Sequence, residues 1–118
     1  MNIEIIKKSI SFQQLQKIAD STYGSMVKGV VDVDLEIIAL GGELHADAEA
    51  SLLQSGSGQT NLWGFNIYLD RPKDQRIEYS SFINIRPHQN NLSLEIQSSE
   101  LKSKIRKIID YLVEGKDG

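Results

Sequence analysis

The apolar positions of this chain follow two rhythms. Across residues 61–69 the odd positions Trp63, Phe65, Ile67 and Leu69 are apolar, a period of two that predicts a strand with one buried face. The same parity recurs across 77–87 in Ile77, Tyr79, Ile83 and Ile85. The polar segment 70–76 between them holds Pro72, so the pair reads as a β-hairpin with a long loop and odd residues on the core. Setting Leu69 opposite Ile77 would place Asn66 opposite Ser80, and Phe82 over the bare Gly64. Earlier in the chain, 2–7 is a short isoleucine-rich strand, and 27–33 alternates with Val27, Gly29, Val31 and Val33 on one face. Residues 35–40 are mostly apolar on both faces, which suits a central strand covered on both sides. A tight turn near 32–34 joins these two strands.

The helical rhythm occurs twice. Ser11 is a good N-cap, Gln14 can complete a capping box, and Ile10 with Leu15 can form a hydrophobic staple. Phe12, Leu15, Ile18 and Ala19 make the apolar stripe of this helix, which Gly24 stops. At the other end Ser98 or Ser99 caps a helix with Leu101, Ile105, Ile108, Ile109, Leu112 and Val113 at helical spacing, closed by Gly115. Between these, 40–52 is ambiguous. Its even positions are apolar or small and its odd positions polar, as in a strand, yet Ala48 onward is rich in helix formers. The reading places a strand to about His45 and a short helix from about Ala48, then a Gly/Ser loop. Residues 91–96 read as a short edge strand.

With 118 residues and no cysteine, the chain is long enough for one core without disulfides. The expectation is a single domain over 1–118 with a frayed tail at 115–118. A formal charge of −3 with interspersed signs provides no field for nucleic acid. The basic stretch Lys102-Ser103-Lys104-Ile105-Arg106-Lys107 reads as the solvated face of a helix. No run approaches the ~18 apolar residues of a membrane span, and the N-terminus is no signal peptide. Together these fit a cytoplasmic protein. A homodimer is compatible with the pattern, which does not specify one.

The densest candidate chemistry is Gly41-Gly42-Glu43-Leu44-His45-Ala46-Asp47. On an extended chain Glu43, His45 and Asp47 would share one face. His45 and Asp47 with the distant His88 spell a two-histidine, one-carboxylate metal pattern, with Glu43 as a substitute for His88. The same groups could act as base and orienter without a metal, although no serine sits in a nucleophile elbow. A hydrogen-bonded structural histidine is the plainer reading. A second candidate is the polar face of the hairpin, where Asn66, Tyr68, Glu78, Ser80, Asn84 and Arg86 share even parity. From alternation alone the solvent face of an antiparallel sheet is the plainer reading; asparagine is depleted in strands, so Asn66 and Asn84 raise the functional one, and Arg86 suits a carboxylate or phosphate. Neither glycine-rich stretch matches a phosphate-binding fingerprint, and Trp63 has the parity of a core residue.

The segments Gly41-Gly42-Glu43-Leu44-His45-Ala46-Asp47, Asn61-Leu62-Trp63-Gly64-Phe65-Asn66-Ile67-Tyr68 and Ile83-Asn84-Ile85-Arg86-Pro87, with Met26-Val27-Lys28-Gly29-Val30-Val31-Asp32-Val33 upstream, resemble a small prokaryotic family of unknown function. Its members consist of little more than this one domain, and the resemblance covers nearly the whole chain. It implies no activity. Related sequences carry a small residue near His88 and a more charged segment after Asn91, where this chain has Leu92-Ser93-Leu94-Glu95, so the resemblance assigns His88 no role.

The combined expectation is an α/β (α+β) fold: a mostly antiparallel sheet of about five to six strands with two main helices packed on one face. The leading functional reading is a non-enzymatic binding or interaction module. Its ligand site would lie where Glu43, His45 and Asp47 meet Asn66, Asn84 and Arg86. The alternative is a metal-dependent enzyme, hydrolase-like or oxygenase-like, using Glu43, His45 and Asp47. The partner and any cofactor are unknown, a divalent metal being the one suggested.

Overall fold

The computed structural model describes residues 3–113. Five strands form one antiparallel sheet: β1 (Ile3–Ile6), β2 (Met26–Asp32), β3 (Ile37–Gly41), β4 (Leu62–Tyr68) and β5 (Ile77–Glu78), in the order β1-β3-β2-β4-β5. Helices α1 (Phe12–Asp20) and α3 (Ser99–Leu112) cover one face, so the fold is α+β as the two rhythms predict. A third helix, α2 (His45–Gln54), covers part of the other face. No helix among the described residues is long and apolar enough to cross a membrane.

Local chemistry sets these boundaries. The Ser11 hydroxyl accepts the Gln14 N–H at 3.1 Å and starts α1, and Ser98 does the same for α3 through the Leu101 N–H at 3.1 Å. Beyond α1, Gly24 has φ +83° and its N–H reaches the Ala19 carbonyl at 2.7 Å, a left-handed stop that glycine adopts without steric cost. The β2–β3 turn is organised by the buried Asp32 carboxylate. Its Oδ1 accepts the N–H groups of Asp34 and Leu35, each at 2.9 Å, and its Oδ2 accepts the Ser57 hydroxyl at 2.6 Å. Gly115 and the tail 115–118 lie outside the described residues, as does Asn2. Within them, Val113 follows α3 and bridges to Ile10.

The strand periodicity divides the core. Val27, Val31, Ile38, Leu40, Trp63, Phe65 and Ile67 face α1 and α3, meeting Leu15, Ile18, Ile105 and Ile109. Gly29 lies under the Phe65 ring, where an added Cβ would come within 2.4 Å. On the opposite face Val30, Ala39 and Leu62 pack against Ala48 and Leu52 of α2.

Three expectations are corrected. First, β3 ends at Gly41 and α2 begins at His45, so residues 43–47 are not an extended run. Gly41 and Gly42 have φ of +111° and +80°, which turns the chain out of the sheet before Glu43. Second, Ile77 pairs with Ile67 and Glu78 with Asn66. This is two residues from the expected register, and a shift of two preserves parity. Third, the second hairpin strand stops at Glu78, and the edge strand expected at 91–96 is reduced to the isolated bridges Ser80–Glu95 and Arg86–Asn91. The chain instead makes short 3-10 turns at Phe82–Asn84 and Pro87–Gln89. Ser81, not Phe82, covers Gly64: an added Cβ there would lie 2.5 Å from the Ser81 Cβ, whereas Phe82 is 82 % exposed. Ile83 packs on the α2 side and Ile85 is exposed.

The cause is asparagine chemistry, which competes with a backbone ladder. The Asn84 side chain bonds both backbone groups of Gly64, as a neighbouring strand would. The Asn91 amide donates to the carbonyls of Asn84, Ser93 and Glu95 at 2.8, 2.9 and 3.1 Å, and its Oδ1 accepts the Gln97 N–H. These side chains curl 81–97 into a coil held against the edge of β4.

Candidate functional site

Ten residues of helix span about 15 Å, too short to cover the whole face on which α2 lies. Ala48 and Leu52 cover the region of Val30, Ala39 and Leu62. Toward the other end of β2 and β4 the same face carries Met26, Lys28, Asn66, Tyr68 and Glu78. The register places Lys28 beside Asn66, Asn66 beside Glu78, and Met26 beside Tyr68. His45, the first residue of α2, reaches this patch.

Asn66 is 7 % exposed. Its amide nitrogen donates to Glu78 Oε1 at 2.9 Å and to the Ser80 carbonyl at 3.4 Å. The Tyr68 hydroxyl donates to the same Glu78 oxygen at 3.0 Å. Burial and this bond raise the Tyr68 pKa, keeping it a neutral donor. The Asn66 side-chain oxygen is buried against the His45 ring, a polar neighbour that does not reach it in full hydrogen-bonding geometry. Buried polar atoms are nearly always satisfied, so an orphaned acceptor calls for an explanation.

His45 Nε2 lies 2.9 Å from the Phe65 carbonyl oxygen. A carbonyl only accepts, so Nε2 carries the hydrogen, and the neutral ring presents Nδ1 as an acceptor. Burial lowers the His45 pKa from 6.5, and Lys28 adds to that. The Phe65 carbonyl, the Asn66 amide beside the ring and Glu78 oppose it without reversing the direction. The folded ring is therefore neutral at pH 7. Between the lowered folded value and 6.5 the unfolded chain binds more protons than the folded one, so stability falls as pH falls through that window. Urea titrations from about pH 7 to about pH 5 should show this slope in the wild type and a shallower one in His45→Gln. Equal slopes would remove His45 as the source.

Around the patch stand Tyr23, whose hydroxyl donates to the Glu43 carbonyl at 3.0 Å, and Lys28, whose Nζ lies 5.5 Å from the Tyr23 ring centre. Leu44 occupies the N-cap position of α2 and supplies no side-chain cap. The first N–H groups of the helix thus lack that usual partner.

The expected site residues fall into three groups. His45 and Asn66 come together. Asn84 and Arg86 are buried, and their donors are directed to backbone oxygens. Asn84 bonds Gly64 and the Leu94 carbonyl, and Arg86 bonds the carbonyls of Ile83, Gln59 and Leu62 and the Gln89 side chain. Arg86 also lies 3.8 Å from Glu49 of α2 and 4.5 Å from the Trp63 ring centre. Glu43 is exposed in the turn before α2, Asp47 is half-buried in its first turn, and His88 is exposed. Among the described residues no three His, Asp, Glu or Cys side chains are grouped to hold a metal ion. Sequence reasoning missed Lys28 and Glu49. A helical reading from His45 would have placed Glu49, four residues on, on the same face.

The family whose model matches residues 4–112 is described as a protein of unknown function. No curated protein and no solved structure matches the chain.

Proposed function

The chain belongs to that family, DUF5674, and from this premise, which supplies no activity, we propose that it is a small non-enzymatic binding module whose ligand occupies the half of the sheet face that α2 leaves open. The observation that carries this reading is the buried, unpartnered oxygen of Asn66 beside the neutral His45. A ligand N–H or O–H reaching that oxygen would satisfy it, the His45 ring turning aside to admit it and accepting a second ligand hydrogen at Nδ1. Lys28 and the uncapped start of α2 favour an acceptor or a negative charge elsewhere on the ligand. The pattern suits a small polar molecule with both a donor and an acidic group. Glu43 and Asp47 then border the site, and Asn84 and Arg86 hold the strand that carries Asn66.

The metal-dependent alternative needs Glu43, His45 and Asp47 to converge. The helical start at His45, the exposure of Glu43 and the bond from His45 Nε2 to Phe65 favour the binding reading instead.

The test is an amide-shift titration of the labelled protein with amino acids, hydroxy acids and sugar acids. At least one class should give saturable shifts confined to residues near 26–28, 44–47, 66–68 and 78. His45→Ala and Asn66→Ser should weaken the response at least about tenfold, roughly one lost hydrogen bond to a charged or buried partner, while His88→Ala leaves it unchanged. Saturable shifts that survive both site variants, or none with any class, would overturn the reading.

A further inference from the structure

A recess lies away from the Asn66 patch, between α3 and the β2–β3 turn. It has a volume of about 370 Å³ and is lined by Lys7, Leu35, Glu36, Lys104, Lys107, Ile108, Tyr111 and Leu112. That volume falls within the range of small-molecule sites, ~300–1,000 Å³. Ile108 and Leu112 form an apolar floor continuous with the core. Leu35 and Tyr111 form the walls and are 53 % and 58 % exposed.

Two features set this recess apart from a chance crevice. The Asp32 carboxylate fixes the turn by binding the N–H groups of Asp34 and Leu35, and Glu36 is held at φ +59°. Glu36 is the last residue of the four-residue loop between the paired Asp32 and Ile37, and its N–H closes the loop on the Asp32 carbonyl at 2.8 Å, a left-handed position that hairpin loops use. The turn is thus fixed at both ends, and its exposed Leu35 lines the recess. The second feature is charge. Three lysines line the recess against one glutamate, in a chain whose formal charge is −3. None of the three has an ion-pair partner among the described residues. The basic stretch of α3 thus has a local geometry that its helical periodicity alone does not reveal.

We propose that this cleft binds a small amphipathic anion: a carboxylate or phosphate-ester head against Lys7, Lys104 and Lys107, and an aliphatic or aromatic body against Leu35, Tyr111 and the Ile108 floor. An apolar wall without the lysines would accept any greasy molecule, and lysines on an open surface would hold only a screened counter-ion. Their combination selects the amphiphile.

The experiment is calorimetry with amide-shift mapping on the full chain, using decanoate, decyl phosphate, decanol and decylamine, each below its micelle-forming concentration, and vesicles of anionic lipid. Decanoate or decyl phosphate should bind saturably and shift residues 7, 35–36 and 104–112. Which of the two binds more tightly identifies the head group. Decanol and decylamine should bind at least about tenfold more weakly, the range of one or two partly exposed ion pairs. Lys104→Gln/Lys107→Gln, at two exposed positions, should weaken the anions by a similar factor and leave decanol unchanged. Equal binding of all four amphiphiles, anion binding indifferent to the double variant, or binding to vesicles with none to the monomeric anions would each overturn the proposal. A negative result here leaves the Asn66 patch untouched, since the two sites share no residue.

Discussion

Arg86→Met should lower the unfolding free energy by about 3–5 kcal/mol, the usual range for breaking one side of a buried charge arrangement. Arg86 is 3 % exposed. Its Nε donates to the Ile83 carbonyl at 3.0 Å, and its Nη1 to the Gln59 carbonyl at 2.9 Å and to Gln89 Oε1 at 3.1 Å. Its Nη2 donates to the Leu62 carbonyl. Burial pushes its pKa down and Glu49 opposes that shift, but a guanidinium stays charged throughout the folding range. Methionine would leave those acceptors unpaired and Glu49 with a buried oxygen that already lacks a hydrogen bond. Arg86→Lys should do little better, because an ammonium cannot present the planar fork that reaches acceptors in three directions. The Glu49→Gln/Arg86→Met pair should be less destabilised than the sum of its single changes, because the stranded carboxylate is gone. A loss under about 1 kcal/mol by urea unfolding would mean that water replaces the guanidinium without penalty.

Asn84→Ala should cost about 2–4 kcal/mol, one orphaned buried donor and one or two orphaned acceptors. Its Oδ1 accepts the Gly64 N–H at 2.8 Å, and its Nδ2 donates to the Gly64 carbonyl at 3.0 Å and the Leu94 carbonyl at 3.2 Å. The side chain thus acts as one rung of an absent strand on the outer edge of β4. Asn84→Asp keeps the acceptor but turns a carboxylate oxygen onto the Gly64 and Leu94 carbonyls at a fully buried position, so it should destabilise at least as much as alanine. Hydrogen exchange separates this role from generic packing: measured against the global stability of each variant, the Gly64 amide should lose more protection in Asn84→Ala than in Asn84→Asp, which keeps its acceptor. Similar Gly64 protection in both variants would argue against the pairing.

The parts of the fold that could be read from sequence are those in which backbone bonding follows the usual ladder or helix. Val27 to Asp32, the apolar β3, Trp63 to Ile67 and the stripe of α3 all announce themselves by period. What could not be read is where side chains replace backbone. Period two continues through Ile83 and Ile85, yet Asn84 and Asn91 satisfy the neighbouring strand and loop themselves, and the chain has no need to extend. At 43–47 the alternation was an accident of composition, and two left-handed glycines decided the outcome. The candidate site was legible by residue type and not by arrangement. Asn66 and His45 stood out as unusual for their positions and do meet. Asn84 and Arg86 stood out equally, but their polarity is directed into the protein, because parity identifies a face without saying what covers it. Lys28 gave no signal, since a lysine on a strand is ordinary until the register brings it beside Asn66.

The chain has one tryptophan, and it lies under the Arg86 guanidinium at the start of β4. Its fluorescence is therefore a local gauge of the junction where the coil of 81–97 is fastened to the sheet, whereas far-ultraviolet dichroism averages over every helix and strand. Agreement of the two signals through a denaturant titration would mean that coil and sheet melt as one cooperative unit. An emission change that runs ahead of the dichroism would mean that the coil peels away first, exposing the outer edge of β4 to other chains while the rest of the molecule is still folded.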